Sequence, residues 1–175
     1  MPVAHTAHRT PASRERWTRL GATLLCLCAW AAAGCGGDRC GPASATVSRV
    51  IDGDTIELES GEKVRYLLVD TPEISSGTPD CYGIEARDYN RELVEGKRVS
   101  LSYDRECTDA YDRLLAYVSV QDRVVNALLV ERGFACVLVI PPNGADREAE
   151  YLELEAIARA ESRGMWGVCE EVACD

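Results

Sequence analysis

Three short β-rich segments follow one another between Ala45 and Asp70, and this succession is the strongest constraint on the fold of the chain. They read ATVSRVI, TIELES and VRYLLVD, each with partial alternation of apolar and polar residues. The residues Ser60–Lys63 have the composition of a turn and separate the second segment from the third. The sequence therefore predicts that these two segments form a β-hairpin.

The remainder of the chain alternates extended and helical patterns. It contains a helix over 82–96, strands over 98–104 and 113–120, and helices over 126–132 and 146–163. The apolar run 134–140 is expected to be extended or buried, and the Pro-Pro-Asn-Gly sequence that follows ends it. The element order β-β-β-α-β-β-α-α predicts an α+β domain built on a small barrel, with Trp166 docked on its core.

Residues 1–34 have the layout of a secretory signal, with arginines ahead of the apolar run LGATLLCLCAWAAAG, which is too short to span a bilayer comfortably. The stretch AAAGC resembles a bacterial lipobox. Cys35 is therefore predicted to carry lipid and to anchor the protein in the cell envelope, on the outer membrane or the periplasmic face. The alternative is an ordinary cleavage site and a secreted protein. Residues 35–44 are predicted to be a tether, 45–169 the domain and 170–175 a tail.

The charge and the histidine content limit the chemistry. Without residues 1–34 the chain keeps 15 of its 19 basic residues and 28 of its 29 acidic ones, a net charge of −13. Such a body does not attract nucleic acid in general, so phosphate binding must come from a few placed arginines, with or without a metal. Both histidines, His5 and His8, leave with the signal. Ser-His and Cys-His pairs and histidine-containing zinc sites are thereby excluded, and carboxylates are the favoured acid–base groups.

Acidic residues are predicted to meet at the open end of the hairpin. With residues 61–62 as a two-residue turn, Asp54 falls opposite Val69 and Asp52 opposite Thr71. Carboxylates this close repel each other unless a cation or protons lie between them, and a cage of hard oxygens suits Ca²⁺. The alternative is structural, because DGD and DTP are also common turn and strand-exit sequences.

Arg65 lies in the third segment, five residues before Asp70. In a regular strand these two side chains point to opposite faces, so both reach one site only if the strand bends or bulges between them. A second arginine, Arg113, begins a later strand. For either arginine alone, a surface salt bridge is the alternative explanation.

Five motifs in order resemble the staphylococcal nuclease (thermonuclease-like) family. They are DGDT at 52–55, R-x-x-x-x-D-T-P-E at 65–73, YGIEA at 82–86, YDRLLAYV at 111–118 and VNALLVERGFA at 125–135. The resemblance extends from about Thr46 to Trp166. It implies an OB-type five-stranded β-barrel with three α-helices, and Ca²⁺-dependent hydrolysis of phosphodiester bonds in DNA and RNA.

The resemblance also implies a metal site. Asp54 and Asp70 would bind Ca²⁺ through their carboxylates, and Thr71 would bind it through its backbone carbonyl. Asp52 would lie just behind these ligands. A cation there would neutralise an anionic phosphodiester that otherwise repels hydroxide.

The catalytic residues implied by the family are Arg65, Glu73 and Arg113. Glu73 would orient or deprotonate the attacking water, and the arginines would hold the phosphate as phosphorus becomes five-coordinate. Tyr111 is the one aromatic candidate beside the nucleotide base, because the segment 137–143 is aliphatic. Asp112 stands where the family commonly has glycine, and it would weaken the hold of Arg113 on phosphate or keep that arginine in place. Weaker substrate binding and a steeper dependence on divalent metal are expected.

Six cysteines follow position 35, namely those at 40, 81, 107, 136, 169 and 174. In an exported domain an even number indicates up to three disulfides, and a cysteine-rich zinc site is the alternative. Cys81 lies after the loop of Glu73, and Cys107 lies in the loop that leads to Arg113. A Cys81–Cys107 bridge that ties the two loops together is therefore hypothesised.

Three functions are compatible with these features. The first is an exported, membrane-anchored, Ca²⁺-dependent nuclease that acts as a monomer on DNA or RNA. The second is a non-catalytic OB-type module of the envelope that binds nucleic acid or protein, and the third is a purely structural envelope lipoprotein. The nuclease is favoured because Arg65, Glu73 and Arg113 are all present beside both aspartates. A relative without activity would be expected to lose one of the three first.

Overall fold

The computed structural model describes residues 40–74 and 77–173, so the predicted signal and Cys35 lie outside the described residues. The strands are β1 (Ser44–Val50), β2 (Thr55–Leu58), β3 (Lys63–Tyr66), β4 (Arg98–Thr108), β5 (Leu114–Val120) and β6 (Arg123–Val124). The helices are α1 (Gly83–Val94), α2 (Val125–Glu131), α3 (Glu148–Ala160) and α4 (Met165–Val168). None of these helices is long and apolar enough to cross a membrane.

The strands close into a barrel. Hydrogen-bonded neighbours run in the order β3-β2-β1-β4-β5, and a parallel pairing between β3 and β5 completes the ring. The two-residue β6 only extends β5 as a short hairpin, and α4 is a single turn after the three main helices. The predicted α+β fold, an OB-type five-stranded barrel with three helices, is confirmed.

Branched aliphatic side chains fill the barrel. Val47, Ile56, Val64 and Val118 are each 0 % exposed, and they come from four different strands. Along β4 burial alternates with the pleat, since Val99 is buried between two exposed neighbours. Each such side chain contributes about 1.5–3 kcal/mol by leaving water. The barrel is therefore a packed core and a rigid support for the loops at its rim.

The β2–β3 hairpin has a different register from the predicted one. Thr55 pairs with Arg65, and Tyr66 N–H donates to the Asp54 carbonyl at 2.9 Å. The predicted pairing of Asp54 with Val69 is therefore wrong. The loop holds three residues rather than two, because Gly61 at φ 97° adopts the left-handed conformation that closes a three-residue hairpin.

The third β-rich segment is not one continuous strand. β3 ends at Tyr66, and Leu68 has a left-handed φ of 62°. Beyond this bend the chain pairs elsewhere: Asp70 N–H donates to the Cys136 carbonyl at 3.0 Å, and Cys136 N–H donates to the Asp70 carbonyl at 2.8 Å. The bend that Arg65 and Asp70 need in order to face one site is present.

Asn126, at the start of α2, fixes this bend to the barrel. Its Oδ1 accepts from Val118 N–H at 2.9 Å, and its Nδ2 donates to the carbonyls of Leu67 at 2.9 Å and Ala116 at 3.2 Å. The side chain is fully buried. One amide thus satisfies three backbone groups that have no access to water.

Disulfides tie two loops to the ends of the domain. Cys40 bonds to Cys107 and Cys81 bonds to Cys169, over 67 and 88 residues of sequence. The hypothesised Cys81–Cys107 bridge is wrong, because each of these two cysteines lies beside a terminal segment rather than beside the other loop. Cys136 is also disulfide-bonded, so no cysteine in the described ranges offers a thiolate to zinc.

The residue that docks on the core after α3 is Met165 rather than Trp166. Met165 is 0 % exposed, and its N–H donates to the Gly133 carbonyl at 2.9 Å. Trp166 is half-buried and lies under Arg159, whose guanidinium carbon is 3.9 Å from the centre of the ring. The prediction for Trp166 is therefore corrected by one position.

Replacing Asn126 by alanine is expected to lower the free energy of unfolding by about 2–3 kcal/mol, because the Leu67 carbonyl and Val118 N–H lose this partner and the Ala116 carbonyl keeps only Leu67 N–H. Urea unfolding followed by tryptophan fluorescence measures this. The matched control is Glu153→Ala on the exposed face of α3, with an expected change below about 0.5 kcal/mol. Equal stabilities of the two variants would contradict the role of Asn126.

Candidate active site

Arg65 lies between the two buried aspartates at the bend. Its Nη1 is 2.9 Å from Asp54 Oδ2, and its Nη2 is 2.9 Å from Asp70 Oδ1. All three side chains are largely shielded from solvent, with side-chain exposures of 15 % for Arg65, 6 % for Asp54 and 12 % for Asp70. The structure thus brings together three of the predicted site residues around one guanidinium.

The guanidinium also binds the bend that carries Asp70. Arg65 Nη1 donates to the Val69 carbonyl at 2.7 Å and lies 3.4 Å from the Tyr66 carbonyl. These carbonyls point inward because Leu68 reverses the chain direction between them. Arginine is suited to this position because its planar fork donates to several acceptors at once.

Thr71 orients the carboxylate of Asp54. Its N–H and its hydroxyl donate to Asp54 Oδ2 at 2.9 and 3.0 Å. Gly53 makes this approach possible, since a Cβ there would lie 2.6 Å from the Thr71 side chain. The other oxygen, Asp54 Oδ1, accepts from the Thr55 hydroxyl at 3.1 Å. The predicted use of the Thr71 carbonyl as a ligand stays a prediction.

Asp52 shapes the loop in front of Asp54. Its Oδ1 accepts from Asp54 N–H at 3.1 Å, a local turn that aspartate commonly forms. The carbonyl of Asp52 lies 3.4 Å from Asn90 Nδ2, and Asn90 Oδ1 accepts from the Tyr66 hydroxyl at 2.9 Å. The buried pair of Tyr66 and Asn90 therefore links α1 to the acidic loop.

The site has more negative charge than Arg65 neutralises. Burial raises the pKa of Asp54; the Arg65 charge opposes this rise, and the neighbouring Asp52 charge adds to it. When both are ionised, Asp54 and Asp70 carry two negative charges against one guanidinium. A further cation at this place would therefore favour the ionised form of Asp54.

Arg113 lies on a tight loop that Asp109 organises. Asp109 Oδ2 accepts from Arg113 Nε at 2.6 Å, and Asp109 Oδ1 accepts from the N–H groups of Arg113 at 3.0 Å and Tyr111 at 2.8 Å. Burial disfavours the Asp109 carboxylate, but these hydrogen bonds outweigh it and lower the pKa of Asp109. Asp109 thus holds Arg113 through both its Nε and its backbone N–H.

Both arginines line one cavity of about 370 Å³. Its walls include Tyr111, Leu115 and Ile140, and Tyr111 is 81 % exposed at the edge. The guanidinium of Arg113 lies 5.5 Å from the centre of the Tyr111 ring. The cavity thus combines two arginines and two acidic residues, Glu106 and Asp109, with apolar walls.

Glu73 lies at the start of the connection to α1, two residues after Thr71, and it is exposed to solvent. Its N–H donates to Asp80 Oδ2 at 3.2 Å, and its carbonyl accepts from Asp80 N–H at 2.8 Å. Glu73 is thus an exposed carboxylate two residues beyond Thr71, which itself binds Asp54.

The oxygen donors at the bend fit a hard divalent cation. In the part of the chain that the structure describes, no three acidic, cysteine or histidine side chains are grouped to hold a metal. Two carboxylates, Asp54 and Asp70, nevertheless bind the same guanidinium. The Asp54 carboxylate is buried, although burial disfavours its negative charge. Ca²⁺ commonly completes such a partial set with carbonyls and waters.

The closed barrel defines an OB-type α+β protein, and two arginines line a cavity at its edge. The family profile described as staphylococcal nuclease homologue matches residues 63–168. The chain therefore belongs to the staphylococcal nuclease family.

Individual relatives carry names from this family. The chain is 43 % identical to the thermonuclease of Staphylococcus intermedius over 102 residues, which are 55 % of this chain and 61 % of that protein. It is 39 % identical to the endonuclease YncB of Bacillus subtilis (strain 168) over 128 residues, 69 % of this chain and 60 % of the relative. It is 34 % identical over 127 residues to the SPbeta prophage-derived endonuclease YokF of the same organism, 69 % of this chain and 43 % of the relative. The chain thus spans about half the length of these proteins.

Two residues of the site were not among the predicted ones. Asp109 and Asp80 act through hydrogen bonds to the backbone of a neighbour, and each lies in a short polar loop. The four-residue spacing between Asp109 and Arg113 was the available signal for the first, because aspartates in turns commonly accept from backbone N–H groups nearby. Asp80 is seven residues from Glu73 and had no comparable signal.

Replacing Asp109 by alanine is expected to lower the free energy of unfolding by about 1–2 kcal/mol at pH 7, because three hydrogen bonds are lost. The folded-state pKa is lowered, so this stabilisation is present above the unfolded pKa of about 4 and disappears as the pH falls through the folded value. Urea unfolding at pH 7 and at pH 3 measures both parts.

The matched control is Asp112→Asn, three residues further on in the same loop. Asp112 is exposed and has a left-handed φ of 61°, which asparagine tolerates. Its replacement should leave the stability within about 0.5 kcal/mol at both pH values. A stability loss from Asp109→Ala that is the same at both pH values would contradict the assigned role of the carboxylate.

Proposed function

We propose that this protein is a Ca²⁺-dependent nuclease that hydrolyses phosphodiester bonds of DNA or RNA. The single observation that supports this most is the position of the Arg65 guanidinium. It binds two buried carboxylates and at the same time lines the cavity that Arg113 also lines. Membership of the staphylococcal nuclease family and the names of the relatives agree with it.

The two arginines and the cavity provide the phosphate site. Arg113 has its Nε bound by Asp109, so its outer nitrogens are the part that meets a phosphate oxygen. Arg65 is held from behind by Asp54 and Asp70 and cannot swing away freely. Fixed donors of this kind stabilise the charge that grows on phosphate oxygens when phosphorus becomes five-coordinate, without reorganising during the reaction.

Glu73 is the general base in this proposal. It is exposed to water, whereas Asp54 and Asp70 are largely buried against Arg65. A water held by Glu73 loses its proton to the carboxylate as its oxygen attacks phosphorus, the P–O bond on the opposite side breaks, and the leaving oxygen takes a proton from solvent. With no histidine in the described ranges, a carboxylate is the natural acceptor for that proton.

Asp54 and Asp70 are the residues that would hold Ca²⁺, with Asp52 behind them. The bound ion supplies positive charge that neutralises the phosphodiester and favours deprotonation of water. The excess of negative charge around Arg65 supports this assignment. The lipid-anchored or secreted location that residues 1–35 imply stays a prediction.

Replacing Glu73 by glutamine is expected to reduce kcat by about 10²–10⁴-fold while binding changes little, because the base is lost and the shape is kept. Cleavage of plasmid DNA and of RNA by the full-length protein in detergent, with Ca²⁺ and with chelator, measures this. Glu85→Gln, another exposed glutamate in the first turn of α1, is the matched control and should cleave like the unaltered protein. Binding without cleavage under every divalent ion would instead favour the non-catalytic OB-type module.

Calcium is expected to raise the thermal midpoint, by an amount equivalent to about 2.7 kcal/mol at a hundredfold excess over Kd, because it binds the folded state. Asp70→Asn removes one of the two proposed ligands and should abolish most of the shift. Asp88→Asn on the exposed face of α1 is the control and should retain it. A shift of equal size in Asp70→Asn would remove Asp70 from the metal site.

A further inference from the structure

Asp80, seven residues after Glu73, binds the backbone of Glu73. Asp80 Oδ2 accepts from Glu73 N–H at 3.2 Å, and Asp80 N–H donates to the Glu73 carbonyl at 2.8 Å. Both backbone groups of Glu73 are therefore bound by Asp80. We call this pair of hydrogen bonds the Glu73–Asp80 clamp.

Asp80 is itself held in place by contacts of its own backbone and of the next residue. Its carbonyl accepts from Gly83 N–H at 3.1 Å, and the next residue, Cys81, is bonded to Cys169. Gly83 packs against the other end of the same segment, since a Cβ on it would lie 2.7 Å from the Pro72 carbonyl and 3.1 Å from the Glu73 carbonyl. The clamp thus connects Glu73 to a part of the molecule that has little freedom to move.

The C-terminal part of the domain completes this support. Cys169 follows α4, whose first residue, Met165, is fully buried and bonded to the Gly133 carbonyl. Tyr82, directly after Cys81, stacks on Phe134 with ring centres 5.4 Å apart. Covalent and packing contacts therefore fix the residues on the C-terminal side of Asp80.

The carboxylate of Asp80 has a partner outside the helix that follows it, namely Glu73 N–H. α1 begins at Gly83 with Tyr82 as the preceding residue, and no side-chain hydrogen bond caps this end. An aspartate just ahead of a helix would ordinarily be explained as a cap. Here its carbonyl accepts from Gly83 N–H at the helix start, and its side-chain oxygen accepts from Glu73 N–H.

We propose that Asp80 is a positioning residue for Glu73, an inference that rests on the proposed nuclease function. A general base works only within hydrogen-bond reach of the water that it deprotonates. A displacement of about 1 Å is enough to cost about a hundredfold in rate. By fixing N–H and C=O of the same residue, Asp80 sets where the Glu73 side chain starts and how far it reaches.

The proposal predicts a loss in kcat without a loss of substrate or metal binding. Asp80→Ala removes the acceptor and should lower kcat about tenfold, with KM and the half-saturating Ca²⁺ concentration changed less than twofold. Asp80→Asn keeps an acceptor oxygen at the same position and should restore most of the activity. Asp88→Ala, which removes an exposed aspartate hydrogen-bonded to Arg87 and Arg91, is the matched control and should leave kcat unchanged.

The test uses the full-length protein in detergent with an oligonucleotide substrate, and it adds amide hydrogen exchange of Glu73 measured by NMR. In Asp80→Ala the Glu73 amide should exchange at least tenfold faster, while Asp80→Asn and Asp88→Ala should resemble the unaltered protein. This second readout does not depend on activity. It therefore separates a failure of the clamp from a failure of the proposed nuclease function.

Three results would overturn the proposal. Unchanged exchange at Glu73 in Asp80→Ala overturns the clamp, whether or not the protein cleaves nucleic acid. Faster exchange with kcat equal to that of Asp88→Ala overturns the positioning role. A loss that appears equally in kcat, KM and thermal midpoint, and that Asp80→Asn does not restore, would also overturn it, since that pattern belongs to a general loss of structure.

Discussion

One guanidinium organises the acidic loop and the bend at one end of this barrel. Arg65 extends from a strand of the closed sheet, and its nitrogens bind the carboxylates of Asp54 and Asp70 and the carbonyl of Val69. Burying two carboxylates and a cation is costly unless nearly every polar atom finds a partner. The left-handed bend at Leu68 and the inward hydroxyl of Thr71 supply those partners. The bend at Leu68, the loop that carries Asp54 and the guanidinium of Arg65 therefore depend on one another.

The fold could be predicted from the sequence largely because its elements are short, periodic and separated by clear turns. The register of the β2–β3 hairpin could not, since Gly61 permits a three-residue loop as readily as a two-residue one. That difference moves the partner of Asp54 from Val69 to Tyr66. The acidic residues still converge, because the bend at Leu68 carries Asp70 and Thr71 back toward Asp54.

Residues of the candidate site could be predicted where their side-chain type suggests a role. They were harder to predict where the role depends on the folded geometry. Arg65, Asp54 and Asp70 meet as the motifs implied, and Arg113 reaches the same cavity from another loop. Asp109 and Asp80 escaped notice because their role lies in which backbone N–H each carboxylate accepts. The disulfide pairing failed for a related reason: it depends on where both ends of the domain fold back, which local sequence does not encode.

The positions of the two disulfides in the sequence determine when each of them can form. The loop before Arg113 is fastened to Cys40 near the beginning of the domain, but the segment of Glu73 is fastened to Cys169, 88 residues downstream of Cys81. A growing chain that has passed Glu73 must still add α2, α3 and α4 before that fastening can form. The segment of Glu73 can thus be fastened only after Cys169 has been added, whereas the loop before Arg113 can be fastened as soon as Cys107 is present.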